Sequence, residues 1–341
     1  MRKLAVVVLV VACAPAFAKA PAKKESKKEA KKENPALGLG EMPVPADNPQ
    51  TPEKIALGHQ LFWDARLSKS GKMACESCHL PDKGWADGQK VSTKDDGKPN
   101  TRNTPTVLNV AFQPYFYWDG RAPTLEKQIL AAWKGQMGIA DDKTAEETAK
   151  KVGAIAGYKE QFQKVFGGEA TADAVVKALA AYVRTLVSGN SADDRFDAGD
   201  ASGLTAQQKR GLELFKGKAK CSLCHAGAGY SAYEFKNVGV GMDKPTPDLG
   251  RGKVANDPKL NGAFKVPTLR NVARTAPYFH DGSAATLDAV LDYFAHPIEN
   301  PTLDEKIKGG VQLTPDERKD LLAFLEALNG ALPDGAPPKL P

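Results

Sequence analysis

Basic surface outside the N-terminus is the first thing that this sequence lacks. The formal net charge is +6, but Arg2, Lys3 and a stretch from Lys19 to Glu33 with seven lysines and three glutamates account for all of it. The remainder of the chain is neutral, and aromatic residues make up only 7%. Nucleic-acid binding needs a basic stripe or patch. We therefore expect no nucleic-acid partner.

A hydrophobic run long enough to cross a membrane is also missing. The apolar run from Leu4 to about Ala14 is shorter than the roughly 20 residues of a transmembrane helix. It follows two basic residues and precedes the small-residue pattern at 16–18, as in a secretory signal peptide. We predict a signal peptide at 1–20, export to the periplasm, and a disordered Lys/Glu/Pro-rich tether at 21–47. The VVAC sequence also fits a lipoprotein box, in which Cys13 would carry the anchor.

Cysteine is scarce, and its placement is informative. Four of the five cysteines lie in two copies of one pattern, CESCH at 75–79 and CSLCH at 221–225. CxxCH is typical of c-type haem attachment, where two thioethers hold the porphyrin and the histidine binds its iron. The sequence therefore predicts two covalent haems. Their attachment residues would be Cys75, Cys78 and His79, and Cys221, Cys224 and His225.

Paired cysteines have other uses in proteins. The four cysteines could form one zinc site, or two redox disulfides in an oxidising compartment. The histidine that directly follows each pair, together with the predicted export, favours haem over both.

The surroundings of the two patterns are also duplicated. PTVLNVAFQPYFYWDGRAPTL at 105–125 is followed 162 positions later by PTLRNVARTAPYFHDGSAATL at 267–287. Each copy lies downstream of one CxxCH, and an amphipathic stretch precedes each CxxCH. The chain is therefore a tandem duplication.

Apolar residues recur at helical spacing, and no stretch alternates convincingly as a strand. Helices are predicted at 51–62, 125–133, 145–152, 172–186, 206–215, 286–294 and 316–328. The predicted fold is all-α, with two tandem cytochrome c-like domains and long Gly/Pro-rich loops. The domain bounds would be 48–187 and 205–330, with a polar, turn-forming linker at 188–204 and a flexible tail at 331–341.

The ordered set of motifs resembles the bacterial di-haem cytochrome c peroxidases, a family that includes the oxidases that mature methylamine dehydrogenase. The motifs are the CxxCH pair, NTPTVLN, WDGRA, GVGMDKPTPDLGR and LRNVARTAPYFHDGS, and the resemblance covers about residues 45 to 330. It implies that the first haem reacts with hydrogen peroxide. The second would receive electrons from a small cytochrome c or blue copper protein, and family members are often homodimers.

The resemblance also implies roles for single residues. Trp118 matches the tryptophan that relays electrons between the haems. Asn103 matches the side-chain ligand of an interdomain calcium ion, and Thr275 and Pro277 match its carbonyl ligands.

Three departures from the family pattern affect the expected chemistry. The loop from Leu80 to Arg102 has no histidine, so the first haem is expected to rest five-coordinate or with water. Gln136 stands where the family has a catalytic glutamate, and glutamine cannot shuttle a proton. Phe294 stands where the second haem takes its sixth ligand. The candidates that could replace it are its neighbours Tyr293 and His296, and Met242 on a loop that could approach.

Three functions follow from these residues. The chain is expected to be a peroxidase with Trp118 and Gln136 at its active site, using electrons from an exported donor. The alternatives are a di-haem oxidase that modifies aromatic residues of a partner protein, and a non-enzymatic electron carrier.

Overall fold

A computed structural model describes Met1 and residues 34–341. The predicted signal peptide, Cys13 and most of the predicted tether lie outside the described residues. The helices are α1 Pro52–Phe62, α2 Leu125–Gly135, α3 Asp142–Gly153, α4 Ala156–Phe166, α5 Ala172–Arg184, α6 Ala192–Asp197, α7 Ala206–Lys216, α8 Arg251–Ala255, α9 Leu287–Ala295 and α10 Pro315–Ala327. Two short strands, β1 Phe235–Lys236 and β2 Phe264–Lys265, pair antiparallel with Phe235 opposite Lys265. Within residues 34–341, no helix is long and apolar enough to cross a membrane.

Threonine caps set the start of most of the longer helices. In each case the threonine hydroxyl accepts a hydrogen bond from the backbone N–H three residues later, which satisfies a donor that the helix itself leaves free. These caps are Thr51, Thr124, Thr171, Thr205, Thr286 and Thr314. Every helix predicted from periodicity is present, which confirms the mainly helical class.

Some elements differ from the prediction. Helix α4 was missed although Tyr158 and Phe162, one turn apart, are buried. The short helices α6 and α8 lack an apolar stripe. The expectation of no strand is wrong for β1 and β2, because two-residue strands are too short to show alternation.

The same helix pair forms the centre of each half. Helix α1 packs on α5 in a core of buried residues from Leu57 to Leu186, and α7 packs on α10 in a core from Leu204 to Leu328. A Cβ on Gly58 of α1 would lie 1.9 Å from the carbonyl oxygen of Ala178, and one on Gly211 of α7 would lie 2.0 Å from that of Asp320. Both helix crossings therefore require glycine, and the internal duplication extends to the packing.

Ser188 lies where the two halves meet. Asn109 and Asn271 hold equivalent places in the two repeats, and both adopt the left-handed conformation, at φ 58° and 59°. The Asn109 side-chain amide bonds both the N–H and the carbonyl of Ser188, while Asn271 Nδ2 donates to Ser188 Oγ at 3.0 Å. Both repeats thus bind the same buried residue.

The segment 188–204, predicted to be a polar, turn-forming linker, is partly helical, and its first part up to Asp194 is largely buried. Helix α6 has no apolar stripe because its buried face carries Asp193 and Asp194. Asp194 forms a bidentate ion pair with Arg270, at 2.7 and 2.8 Å, and both side chains are at most 4% exposed. A pairing partner 76 residues away cannot be read from local pattern, which is why the helix was missed.

The C-terminal segment 331–341, predicted to be a flexible tail, lies against the first half. Its carbonyl groups accept hydrogen bonds from His59 and Gln60 of α1, at 3.1 and 3.0 Å, and from Arg66 at 3.3 Å. Leu332 packs against the core of the first half. The segment has no periodicity because its backbone, rather than an apolar face, makes most of these contacts.

Candidate functional site

One large cavity lies between the two halves. Its volume is about 1240 Å³, more than the roughly 300–1,000 Å³ of a pocket for one small ligand. All six predicted haem-attachment residues line it: Cys75, Cys78, His79, Cys221, Cys224 and His225. The structure therefore brings both CxxCH patterns to one site.

Each CxxCH folds as a single tight turn. The first cysteine begins a 3₁₀ turn, Cys75–Ser77 or Cys221–Leu223. The histidine N–H then donates back to the carbonyl of that cysteine, at 3.2 Å for His79 and 2.9 Å for His225. Both cysteines and the histidine are thus fixed on one short segment, as attachment to one porphyrin requires.

A backbone carbonyl orients each histidine ring. The Nδ1 of His79 is 3.1 Å from the carbonyl oxygen of Trp85, and that of His225 is 2.9 Å from that of Tyr230. Because a carbonyl can only accept, Nδ1 must carry the proton and Nε2 keeps its lone pair. Burial lowers the pKa of both histidines, which also keeps them neutral. This is the arrangement of a metal-binding histidine with a supporting acceptor, and it fits haem iron.

The thiols do not fit the alternatives to haem. None of the four cysteines in residues 34–341 is in a disulfide, and no group of three or more His, Cys, Asp or Glu residues there is placed to hold a metal ion. The four-cysteine zinc cluster is therefore not formed. Burial raises the pKa of Cys75 and Cys221 to about 12, so both thiols are protonated at neutral pH.

Helices α2 and α9 both line the cavity. They hold equivalent places in the repeats, since the caps Thr124 and Thr286 match. Helix α2 lines it with Leu125, Gln128 and Ala132, and Gln136 follows at its end, whereas α9 lines it with Leu287, Val290, Leu291 and Phe294. The Gln136 Oε1 is buried and accepts no hydrogen bond from the described residues. The α9 lining is therefore wholly apolar, whereas the lining from α2 and its end includes two side-chain amides.

The neighbours proposed as a sixth ligand do not line the cavity. Phe294 does, whereas Tyr293, His296 and Met242 lie outside its wall. The Tyr293 hydroxyl instead donates to the Val238 carbonyl at 2.9 Å. His280 lines the cavity, where its ring stacks on Phe264 with centroids 3.7 Å apart.

Trp118 also lines the cavity, at the contact between the halves. Its indole N–H donates to the Asn103 carbonyl at 2.9 Å, and its own carbonyl accepts from the Lys265 N–H at 2.7 Å. The first bond fixes the ring within one half, and the second ties the backbone of Trp118 to strand β2 of the other.

The residues predicted to bind calcium share one wall of the same cavity. Asn103, Thr275 and Pro277 all line it, and the Asn103 N–H donates to the His280 carbonyl at 2.8 Å. The Asn103 Nδ2 donates to the Gln89 carbonyl at 2.9 Å, which orients the amide. Calcium binding stays a prediction.

Sequence reasoning missed an ion-pair cluster around Arg102. Its guanidinium bonds Asp119 at 2.6 Å and, from the other half, Asp248 at 2.7 and 2.9 Å. Burial alone would favour neutral Asp248, but the hydrogen bonds from Arg102 hold the pKa of this carboxyl below its ordinary value. Arg102 directly precedes Asn103 in the TRNTP segment, and this proximity was the available signal.

Comparison with known proteins adds independent evidence. The model of the di-haem cytochrome c peroxidase family matches residues 52–202. The methylamine utilization protein MauG of Methylorubrum extorquens is 40% identical over 307 residues, covering 88% of this chain and 85% of the relative. The cytochrome c551 peroxidase of Nitrosomonas europaea is 36% identical over 302 residues, covering 88% and 86%.

Solved structures agree with the sequence relatives. The crystal structure of a MauG-like protein associated with microbial copper homeostasis superposes with a TM-score of 0.78 at 33% identity. The match covers 84% of this chain and 92% of that one.

Proposed function

Because the chain belongs to the di-haem cytochrome c peroxidase family, we propose that it is an exported di-haem enzyme that reduces hydrogen peroxide to water. The observation that carries this proposal is the single cavity onto which two attachment turns of the same geometry open. The two halves, 48–187 and 205–330, would each act as one cytochrome c domain.

The bound c-type haems would supply two one-electron centres and an iron face for the oxidant. His79 and His225 would hold the two irons through Nε2, since their Nδ1 atoms already bond carbonyls. Trp118 would relay electrons across the interface, with its ring oriented by the Asn103 carbonyl. A calcium ion held by Asn103, Thr275 and Pro277 would reinforce this interface. Loss of bound calcium in Asn103→Ala, measured by elemental analysis, would support that role.

Gln136 would orient the peroxide. Its buried Oε1 has no partner among the described residues and lies on the cavity wall. A side-chain amide can donate to and accept from a peroxide oxygen, but it cannot transfer a proton at neutral pH. We therefore expect slow oxygen–oxygen cleavage compared with an enzyme that has a carboxyl group there.

A second function is a di-haem oxidase that uses peroxide to oxidise aromatic side chains of a partner protein. Phe294, which stands where the second haem takes its sixth ligand and cannot ligate, favours it. The 40% identity to a methylamine utilization protein supports this alternative.

The electron donor would dock at the second attachment turn. Leu223, between the two cysteines, is 49% exposed, and three exposed lysines are hydrogen-bonded to the turn that carries it. Lys306 Nζ donates to the Leu223 carbonyl at 3.3 Å, Leu223 N–H donates to the Lys220 carbonyl, and the Ser222 hydroxyl donates to the Lys216 carbonyl. We call Lys216, Lys220 and Lys306 the lysine cluster.

The first attachment turn lacks this exposed apolar residue. In CESCH, Glu76 and Ser77 stand at the positions that Ser222 and Leu223 hold in CSLCH. An exposed apolar residue beside the lysine cluster therefore distinguishes the second turn, and it fits a small acidic cytochrome or copper protein.

Rapid mixing with peroxide distinguishes the candidate functions. A peroxidase would turn over with reduced donor, and its rate with an acidic donor would fall as salt rises. A protein-modifying oxidase would react with peroxide but oxidise the donor slowly, and an electron carrier would not react with peroxide. The resting spectrum should show one high-spin ferric haem, and a wholly low-spin spectrum would contradict an open first iron.

Charge reversal tests the docking face. Lys220→Glu with Lys306→Glu should slow oxidation of an acidic donor about tenfold or more, since surface charge acts mainly on association. Lys72→Glu, beside the first turn, is the matched control and should have little effect. Equal effects of both changes would contradict docking at the second turn.

A further inference from the structure

Lys265 is a buried cation with no acidic partner. The residue is 8% exposed and lines the cavity. Its ammonium group donates to Gln113 Oε1 at 3.0 Å and lies 5.6 Å from the centroid of the Tyr233 ring. No carboxylate in residues 34–341 forms an ion pair with it. Burial without an acid lowers the pKa of Lys265 to about 8.

The other cations of the cavity wall are either paired with a carboxylate or exposed to water. Arg102 bonds Asp119 and Asp248, Lys236 lies 3.1 Å from both Glu234 and Asp304, and Lys244 bonds Asp281 at 2.8 Å. Lys220, Lys253 and Lys306 have no such partner, but they are exposed to water. Lys265 differs from both groups because it is neither paired nor solvated.

The buried ammonium group of Lys265 requires an anion that the described residues do not supply. An ammonium ion has three N–H donors, and burying it without a counter-ion costs several kcal/mol. The described residues supply one acceptor, the neutral Gln113 amide, which leaves two donors on a group that lines the cavity. A ligand that fills this cavity with a carboxylate near Gln113 would satisfy them.

The position of Lys265 indicates which carboxylate it would bind. Gln113 belongs to the first half and Lys265 to the second, and the Lys265 N–H bonds the carbonyl of Trp118. The site thus lies at the contact between the halves, in the cavity that both attachment turns share. The ligand proposed for that cavity is haem, and haem carries two propionate carboxylates on the edge away from its vinyl groups.

We propose that Lys265 binds a haem propionate at the interface, beside Trp118, and thereby raises the reduction potential of that haem. The inference rests on the proposed function, because it requires haem in the cavity. A cation at this place favours the reduced iron, which carries one positive charge less. The same pair would fix the porphyrin edge against the backbone of the relay tryptophan.

Three variants of the full holoprotein test this. Lys265→Met removes the charge at similar volume, Lys265→Arg keeps it, and Lys236→Met removes a cavity cation that the protein already neutralises. Intact mass would count the covalent haems, and spectroelectrochemical titration would give both midpoint potentials. If Lys265→Met fails to accumulate, Lys265→Gln replaces it under the same criteria.

We expect two haems in every variant. In Lys265→Met, one midpoint potential should move to a lower value and the other should move less. Lys265→Arg should stay near the wild type, and Lys236→Met should shift less than Lys265→Met. Unchanged potentials in Lys265→Met, or an equal shift in Lys236→Met, would overturn the proposal.

A free anion would have the same chemistry as the propionate, so a phosphate titration separates them. Potentials of the wild type that do not respond to added inorganic phosphate support the haem carboxylate. A response that Lys265→Met abolishes would overturn it in favour of a soluble anion. A wild-type protein without covalent haem would instead refute the proposed function itself.

Discussion

The two halves are alike where they attach a cofactor and unlike in the wall that faces it. Both CxxCH segments form a 3₁₀ turn with the histidine bonded to a carbonyl five or six residues later. In the first half, α2 lines the cavity with Gln128 and Ala132, and in the second half α9 lines it with Val290 and Phe294 at the equivalent positions. The duplicated halves thus share the attachment turn and differ in these residues of the cavity wall.

The difference at one pair of positions is particularly simple. Ala132 and Phe294 are equivalent in the duplicated segments, 162 positions apart. A methyl group leaves room beside the cofactor, whereas a phenyl ring fills it and can neither coordinate a metal nor donate a hydrogen bond. We therefore expect the oxidant to bind in the first half and electrons to pass through the second.

Removing the cysteines of one CxxCH at a time should have the largest effect on the difference between the two halves. Cys75→Ala with Cys78→Ala, and Cys221→Ala with Cys224→Ala, should each lose one covalent haem by intact mass. The first variant should no longer bind peroxide or cyanide. The second should still bind them but should not accept electrons from the donor. Peroxide binding that survives equally in both variants would contradict the division of labour.

Exchanging the wall residues should reverse the accessibility of the two sites. Ala132→Phe should slow cyanide binding to the first haem by about a hundredfold, the scale expected when reacting groups are displaced by an ångström. Phe294→Ala should open a second site for cyanide, visible as a second spectral phase. It should also reduce stability by up to about 3 kcal/mol, since the ring is only partly buried.

Leu291→Ala on the same helix is the control for lost packing. It should lower stability without opening a site to cyanide. A second cyanide phase in this control would show that loosening α9, rather than removing the ring, admits the ligand.

Placing a carboxyl group at the end of α2 should increase the difference in reactivity between the two halves. Gln136→Glu should raise the rate of peroxide cleavage about a hundredfold, the lower end of what general acid–base catalysis contributes. The gain should disappear at a pH below the pKa of the new carboxyl. Gln128→Glu, on the preceding part of α2, places the same charge elsewhere in the cavity and should give a smaller gain. Equal gains would indicate a general effect of charge.

Two ion pairs, one buried and one exposed, affect stability rather than the chemistry of the site. Arg270→Met leaves Asp194 buried without its partner and should cost about 3–5 kcal/mol of unfolding free energy. Arg210→Met, which removes an exposed pair with Asp320, should cost about 0–1 kcal/mol. Chemical denaturation of the holoprotein measures both.

The buried pair also has a pH dependence of defined sign. Burial opposes the ionised Asp194, but hydrogen bonds from Arg270 outweigh it and lower the pKa of the carboxyl. A lowered folded-state pKa stabilises the protein above the unfolded-state pKa, and this contribution disappears as pH falls through the folded-state value. Wild-type stability should therefore drop on acidification more than that of Arg270→Met. Parallel pH profiles would exclude this linkage.

Local signals carried most of the fold prediction. Threonine caps and apolar periodicity located α1, α2, α5, α7, α9 and α10, because both act within a few residues. Helix α6 and the docked C-terminal segment depend on partners far away in sequence, Arg270 in one case and α1 in the other. No windowed pattern can show such contacts.

The residues of the candidate site also fall into two groups, those that local sequence predicts and those that it does not. CxxCH spacing is local, so the six attachment residues could be named from sequence, and family resemblance added Trp118 and Gln136. The family resemblance itself is confirmed by the relatives at 36–40% identity. The Arg102 cluster and the buried Lys265 depend on how the two halves meet, which composition and spacing do not encode.

The shared binding of Ser188 by Asn109 and Asn271 has a kinetic consequence. Gly189 and Gly330 let three backbone segments approach there, since a Cβ on either would lie within 2.4 Å of a carbonyl oxygen. We expect these close contacts and the buried hydrogen bonds to Ser188 to oppose a change in the distance between the halves. The tunnelling gap between the two redox centres should therefore stay constant during thermal motion, and internal electron exchange should be insensitive to solvent viscosity.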